Sequence, residues 1–156
     1  MTNKPSVELR KVQREDREQY FRYLLLADES EEAVKAYMYD GEMFTIHFEN
    51  KVIGTMLFTF HSKQVIELKN FALDPNYRGR GLGKLALLKA LDFYKQKGMR
   101  KVIVGTANSS IGNLAFYQKV GFRMVEIKKD CFTNNPEPIF ENGIRAMDMV
   151  MFEKHL

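Results

Sequence analysis

"VIELKNFALDPNYRGRGLGKLALLKALDFYKQKGMRKVIVGT" (Val65–Thr106) holds three elements and two junctions. Val65–Leu73 is rich in β-branched and aromatic residues and reads as a strand, ended by Asp74-Pro75-Asn76. From Gly81 to Lys97 the pattern is helical. Leu82, Ala86, Leu87, Ala90, Leu91, Phe93 and Tyr94 fall on one broad side at about 100° per residue, with Lys84, Lys89, Asp92, Lys95 and Gln96 on the other. Leu85 and Leu88 fall on the polar side, which predicts a helix covered more widely than a simple surface helix. Gly98 suits its C-cap, and "KVIVGT" (Lys101–Thr106) follows as a buried strand. Strand, helix and strand in this order call for a parallel, right-handed crossover.

Outward from this unit the pattern changes. "VELRKV" (Val7–Val12) alternates like a short strand, Asp16 to Leu26 has helical spacing, and Ser30 suits the N-cap of "EEAVKAYMYD". Gly41 ends that helix. "EMFTIHFE" and "KVIGTMLFTFHS" form a hairpin across Glu49-Asn50-Lys51, with Val65–Leu73 as the third strand of a meander. "SIGNLAFYQKV" is a helix stopped by Gly121, "FRMVEIKK" is a strand, and a loop with Pro136 and Pro138 leads to the last strand, "RAMDMVMFEK". The expected fold is α/β of the α+β kind. It has a mixed, mostly antiparallel sheet of about seven strands and about four helices on its faces.

The 156 residues suit one domain, 1–156, and 45% apolar with 28% charged residues is a globular composition. No apolar run nears the roughly 18 residues of a membrane span, and the N-terminus is too polar for a secretory signal. Cys131 is a single cysteine with no internal partner, which reads as a reducing cytoplasm. One Cys with His47, His61 and His155 gives no metal-ligand spacing, so no metal is expected. The net charge of +4 suits a polyanion (nucleic acid, anionic membrane or a phosphorylated cofactor), but it fits plain solubility at least as well. The basic residues are dispersed rather than in blocks, which argues against nucleic acid.

The turn before the long helix narrows this. A helix N-terminus carries free N–H groups and about half a positive charge, a ready site for phosphate. Gly79, Gly81 and Gly83 let a ligand approach the backbone, while Arg78 and Arg80 add forked donors. The glycines alone fit a tight strand-to-helix turn equally well. The dinucleotide fingerprint G-x-G-x-x-G does not match the G-x-G-x-G found here. The P-loop fails too, because Leu85 follows Gly83-Lys84.

Arg78, Gly81 and Gly83 fit the R/Q-x-x-G-x-G/A signature, so the chain resembles the GNAT superfamily of acetyl-CoA-dependent N-acetyltransferases. The resemblance spans about Val65 to Phe122. "NFALDPNYRGRGLG" looks like the acyl-CoA segment and "NLAFYQKVGF" (Asn113–Phe122) like the second motif. It implies a single-domain GNAT fold in which the fourth and fifth strands, parallel, splay apart to admit the pantetheine arm. It also implies that the backbone around Arg80, Gly81, Leu82, Gly83 and Lys84 holds the pyrophosphate of acetyl-CoA. Arg78 and Gly79 assist, and Phe71, Ala72 and Leu73 line the arm. The Leu73 N–H polarises the thioester carbonyl.

By the same resemblance Tyr117 lies beside the sulfur and can protonate the leaving thiolate, the alternative being a packed aromatic. Glu67 matches the glutamate that removes the amine's proton. The alternative is an exposed strand carboxylate, paired with Lys69. Asn113 could contact the cofactor or seat the helix. The second motif departs from its pattern at Ser110, where an asparagine is usual. The first two helices and the last hairpin would form the acceptor pocket. Asp28, Glu29, Glu31 and Glu32 cluster there, and Pro136–Ile144 is loop-like. The expected reaction is direct acetyl transfer, in a ternary complex, to a primary amine of a small molecule or a protein N-terminus, by a monomer or homodimer. No nucleic acid or membrane partner is expected. The rival readings are a non-catalytic acyl-CoA sensor and a nucleic-acid-binding module.

Overall fold

A computed structural model describes residues 5–156. Strand β1 (Glu8–Lys11) leads through a 3-10 segment (Arg14–Tyr20) into α1 (Phe21–Ala27) and α2 (Glu31–Tyr37). Next come β2 (Glu42–Phe48), β3 (Lys51–Phe60) and β4 (Val65–Leu73). A short 3-10 turn (Pro75–Tyr77) precedes α3 (Leu82–Gln96). The chain continues through β5 (Lys101–Ala107), α4 (Ile111–Val120), β6 (Arg123–Lys128), β7 (Phe140–Glu141), β8 (Ile144–Arg145) and β9 (Met149–His155).

Seven strands form one sheet in the order β1-β2-β3-β4-β5-β9-β6, and β7 with β8 form a separate small hairpin. Only β4 and β5 are parallel; the other neighbours run antiparallel. The turn from β2 to β3 is Glu49-Asn50, both at positive φ, the two-residue form whose twist matches the strands. The side-chain oxygen of Ser30 accepts from the Ala33 N–H and caps α2. Gly98, at φ 93°, follows α3.

Helices α3 and α4 cover one face. Leu82, Ala86, Leu87, Ala90, Leu91 and Tyr94 of α3 pack with Tyr117 and Val120 of α4 against Phe58, Ile66, Val102, Val104 and Phe152. Fully burying a leucine such as Leu87 contributes roughly 1.5–3 kcal/mol, so this layer holds much of the stability. Helices α1 and α2 cover the other face. Leu24, Val34, Tyr37 and Met38 meet Met43 and Leu57 there.

The strands β4 and β5 pair only at Val65–Lys101, Ile66–Val102 and Glu67–Ile103. β4 then runs on to Leu73 and β5 to Ala107 without pairing to each other. A wedge opens between them, with its closed end at Glu67. Beside it, β4 carries a bulge. Leu57 faces Asn70 and Phe58 faces Leu68, so Lys69 is the additional residue. The bulge reverses the side to which residues point. Ile66 and Leu68 enter the α3 layer, and after the bulge Phe71 and Leu73 do. Glu67 before it and Asn70 after it face the α1–α2 side.

Four local expectations are corrected. The first helix divides into a 3-10 segment and α1, as the α2 end docks on buried Arg17. Its guanidinium donates to the Met38, Asp40 and Gly41 carbonyls at 3.0, 2.6 and 2.7 Å. Leu85 and Leu88 are exposed, so α3 is covered on one side only. The last strand begins at Met149 rather than Arg145, because the Asn108 side chain binds the backbone of Arg145, Met147 and Asp148 and holds that stretch off the sheet. Pro136–Ile144, read as loop, contains β7 and the start of β8. Asn142 and Gly143, both at positive φ, turn it into a hairpin.

Candidate active site

The turn into α3 is built by backbone conformation. Gly79 and Gly81 sit at φ 75° and 77°, the left-handed region that favours glycine, and a side chain at either would meet open space. Gly83 is different. It lies in the helix at ordinary φ, and a Cβ there would touch Phe71 at 3.6 Å, Phe116 at 3.7 Å and Leu73 at 3.8 Å. Those are ordinary contacts, so neither backbone nor packing requires glycine at 83. The first turn of α3 holds no acidic residue and no side chain caps it. Its leading N–H groups are left for another acceptor.

The two arginines are posed differently. Arg78 Nε donates to the Leu73 carbonyl at 3.0 Å, tying the turn to the end of β4 and leaving its terminal nitrogens outward. Arg80 lies over the rings of Phe48 (5.3 Å) and Tyr77 (5.5 Å). Lys84 is exposed, whereas the side chains of Leu82 and Ala72 are buried. Phe71 meets Phe116 edge to face at 5.9 Å, which brings the wedge, α3 and α4 together.

Tyr117 is buried on the α4 side of the sheet among Phe116, Phe122 and Phe152. Burial pushes its phenol well above the ordinary range, so it holds its proton at neutral pH. Asn113 Nδ2 is 3.4 Å from Thr106 Oγ1 on β5, a long contact that links α4 to the wedge wall. Glu67 is on the opposite face, partly sheltered. Its partner is His61, with Nε2 2.7 Å from Glu67 Oε1, and not Lys69, whose ammonium lies 5.3 Å from the centre of the Tyr37 ring. The structure thus groups the glycine turn, Phe71, Asn113 and Tyr117 on one side. Glu67 stands on the other, at the point where the β4–β5 pairing ends.

Several polar residues on this site were not singled out from sequence. Asn70 Nδ2 donates to the Tyr37 hydroxyl at 2.8 Å and to the Leu24 carbonyl at 2.9 Å, while Tyr37 donates to Asp28 at 3.1 Å. Asp28 is therefore engaged in holding α1, α2 and β4 together. Glu141 on β7 accepts from the hydroxyls of Ser109 and Ser110 at 2.9–3.1 Å. The hairpin is clamped to the start of α4 in this way. Each contact joins residues more than eight positions apart, and spacing carries no signal for that. Among the described residues no cluster of three His, Cys, Asp or Glu could hold a metal ion, and no helix is long and apolar enough to cross a membrane.

A seven-stranded mixed sheet with one parallel pair that parts beyond Glu67, and a bare helix start after the first of those strands, defines the class of fold. Residues 8–122 match the model of the acetyltransferase (GNAT) family. The uncharacterized N-acetyltransferase YvbK of Bacillus subtilis is 36% identical over 137 residues, 87% of this chain and 88% of that protein. Two solved structures are similar throughout. A GNAT family acetyltransferase from Elizabethkingia anophelis with acetyl-CoA bound has a TM-score of 0.88 at 34% identity, covering 97% of this chain and 99% of that one. The IAA acetyltransferase from Bacillus cereus has 0.87 at 36%, covering 97% and 100%. The chain belongs to the GNAT family and is an acyltransferase.

Proposed function

We propose that the protein transfers the acetyl group of acetyl-CoA directly to a primary amine within a ternary complex. One observation carries the reading: the wedge between β4 and β5 has the uncapped start of α3 at its mouth and Glu67 at its closed end. The acetyl-CoA bound by the relative from Elizabethkingia anophelis supports it. In this reading the N–H groups of residues 80–84 and the outward nitrogens of Arg78 hold the pyrophosphate, with Gly79 and Gly81 shaping the turn. Gly83 leaves the approach open. The pantetheine arm passes Phe71, Ala72 and Leu73, and Asn113 steadies the far wall.

The proton steps follow. Glu67 takes a proton from the acceptor's ammonium, and the freed nitrogen attacks the thioester carbon. The Leu73 N–H faces the carbonyl oxygen as charge develops. The C–S bond breaks, the Tyr117 phenol, kept protonated by burial, protonates the thiolate, and the nitrogen's second proton leaves as the amide forms and restores the phenol. The acceptor is a small molecule or a protein N-terminus, met between the α1–α2 side and the β7–β8 hairpin. The protein works in the cytoplasm as a monomer or homodimer.

Single-turnover rates across pH test this. Glu67→Gln lowers kcat/KM for the amine about 10²–10⁴-fold near neutrality, and the defect shrinks as pH approaches the amine's own pKa. Tyr117→Phe keeps acetyl-CoA affinity and lowers kcat about 10²-fold. A deficit for Glu67→Gln that is flat with pH removes it as base. Binding of acetyl-CoA without thiol release for any amine makes the protein a sensor.

A further inference from the structure

Glu67 does not stand alone on its face. His61 follows β3 directly, in the connection to β4, and the connection is tightly tied. His61 N–H donates to the Val65 carbonyl at 2.9 Å, and Ser62 Oγ accepts from the N–H groups of Gln64 and Val65, each at 3.2 Å. The imidazole is thereby placed with Nε2 2.7 Å from Glu67 Oε1. An ionised carboxylate only accepts, so His61 donates through Nε2–H. The bond is short and charge-assisted.

The other groups around Glu67 are engaged elsewhere or uncharged. Thr59 on β3 and Ile103 on β5 flank it in register. The Lys69 ammonium lies 5.3 Å from the Tyr37 ring centroid. Lys101 on β5 and His155 on β9 each stand 3.6 Å from Glu153 on β9. His61 is what meets the carboxylate, and it leaves Oε2 as the other oxygen. The Glu67 side chain is 19% exposed and that of His61 49%, so the carboxylate is sheltered and its partner faces water.

We propose that His61 is a positioning residue for the reaction. Its Nε2–H holds Oε1 of Glu67 and presents Oε2 to the acceptor amine. No proton moves on His61; the amine's proton goes to Oε2. This rests on the reading of Glu67 as the base.

A double-mutant cycle tests it, with acetyl-CoA saturating and the amine varied. His61→Ala lowers kcat/KM for the amine about tenfold, as expected for one charge-assisted bond. His61→Gln, which offers an amide N–H at similar reach, recovers most of the loss. In a Glu67→Gln background His61→Ala has no further effect. Acetyl-CoA affinity and Tm stay unchanged throughout. Wild-type kcat/KM in His61→Ala overturns the proposal. So does an equal loss in the Glu67→Gln background, or a His61→Gln variant as impaired as His61→Ala. Full activity in Glu67→Gln alone overturns the base assignment and the proposal together, which separates the two failures.

Discussion

Helices α3 and α4 each follow a strand of the parallel pair, yet their starts are furnished in opposite ways. Ser110 opens α4, and its hydroxyl, with that of Ser109, binds the Glu141 carboxylate from the β7–β8 hairpin. Gly81 opens α3, with no capping side chain, no acid in the first turn and two arginines before it. A helix start attracts negative charge wherever it lies. One start is supplied with an anion by the protein itself, and the other is kept clear. On the function proposed above, α4 is a structural joint and α3 the receptor for a ligand's phosphates.

The contrast breaks most sharply if the clear start is obstructed. Gly83→Val should weaken acetyl-CoA binding by about 10²-fold or more, the equivalent of losing two charge-assisted hydrogen bonds, while thermal melts report a folded protein. Unchanged affinity by calorimetry would overturn the reading of this turn as the phosphate site. A subtler intervention makes α3 resemble α4. Lys84→Glu places a carboxylate in the first turn of α3. Acetyl-CoA affinity should fall about tenfold while Tm holds or rises, since the new charge suits the helix and competes with phosphate. A fall in both would mean general damage. The reverse intervention, Glu141→Gln, empties the α4 start. It should lower stability by about 0.5 kcal/mol in chemical denaturation and leave acetyl-CoA affinity as it was. A loss of acetyl-CoA affinity would show that the two starts are not independent.

What was legible in the sequence was local. The Glu49-Asn50 turn, the Ser30 cap and the strand–helix–strand unit all depend on neighbours within a few residues. Each appears where the residues place it. The wedge came from resemblance, since parallel pairing that stops at Glu67 leaves no mark on composition. The glycine turn was visible as a pattern. Only the structure separates Gly79 and Gly81, which the backbone requires, from Gly83, which it does not. Arg17 and Glu141 were invisible as structural residues because their partners lie 21 to 32 positions away. His61 was noted only as a failed metal ligand. It sits six residues before Glu67, and a tight turn brings the two together.

The bulge at Lys69 gives β4 an unusual sensitivity to the kind of genetic change it suffers. Glu67 and Phe71 are four residues apart, a spacing that puts both on one face of a regular strand. Here they face opposite sides because one residue is spent without being paired. Replacing Lys69 alters an exposed side chain and leaves that parity alone. Deleting a single codon there removes the extra residue, and the two halves of the strand must then share one alternation. Either Phe71 and Leu73 leave the α3 layer or Ile66 and Leu68 do. For this strand the count of residues is inherited information as surely as their identity.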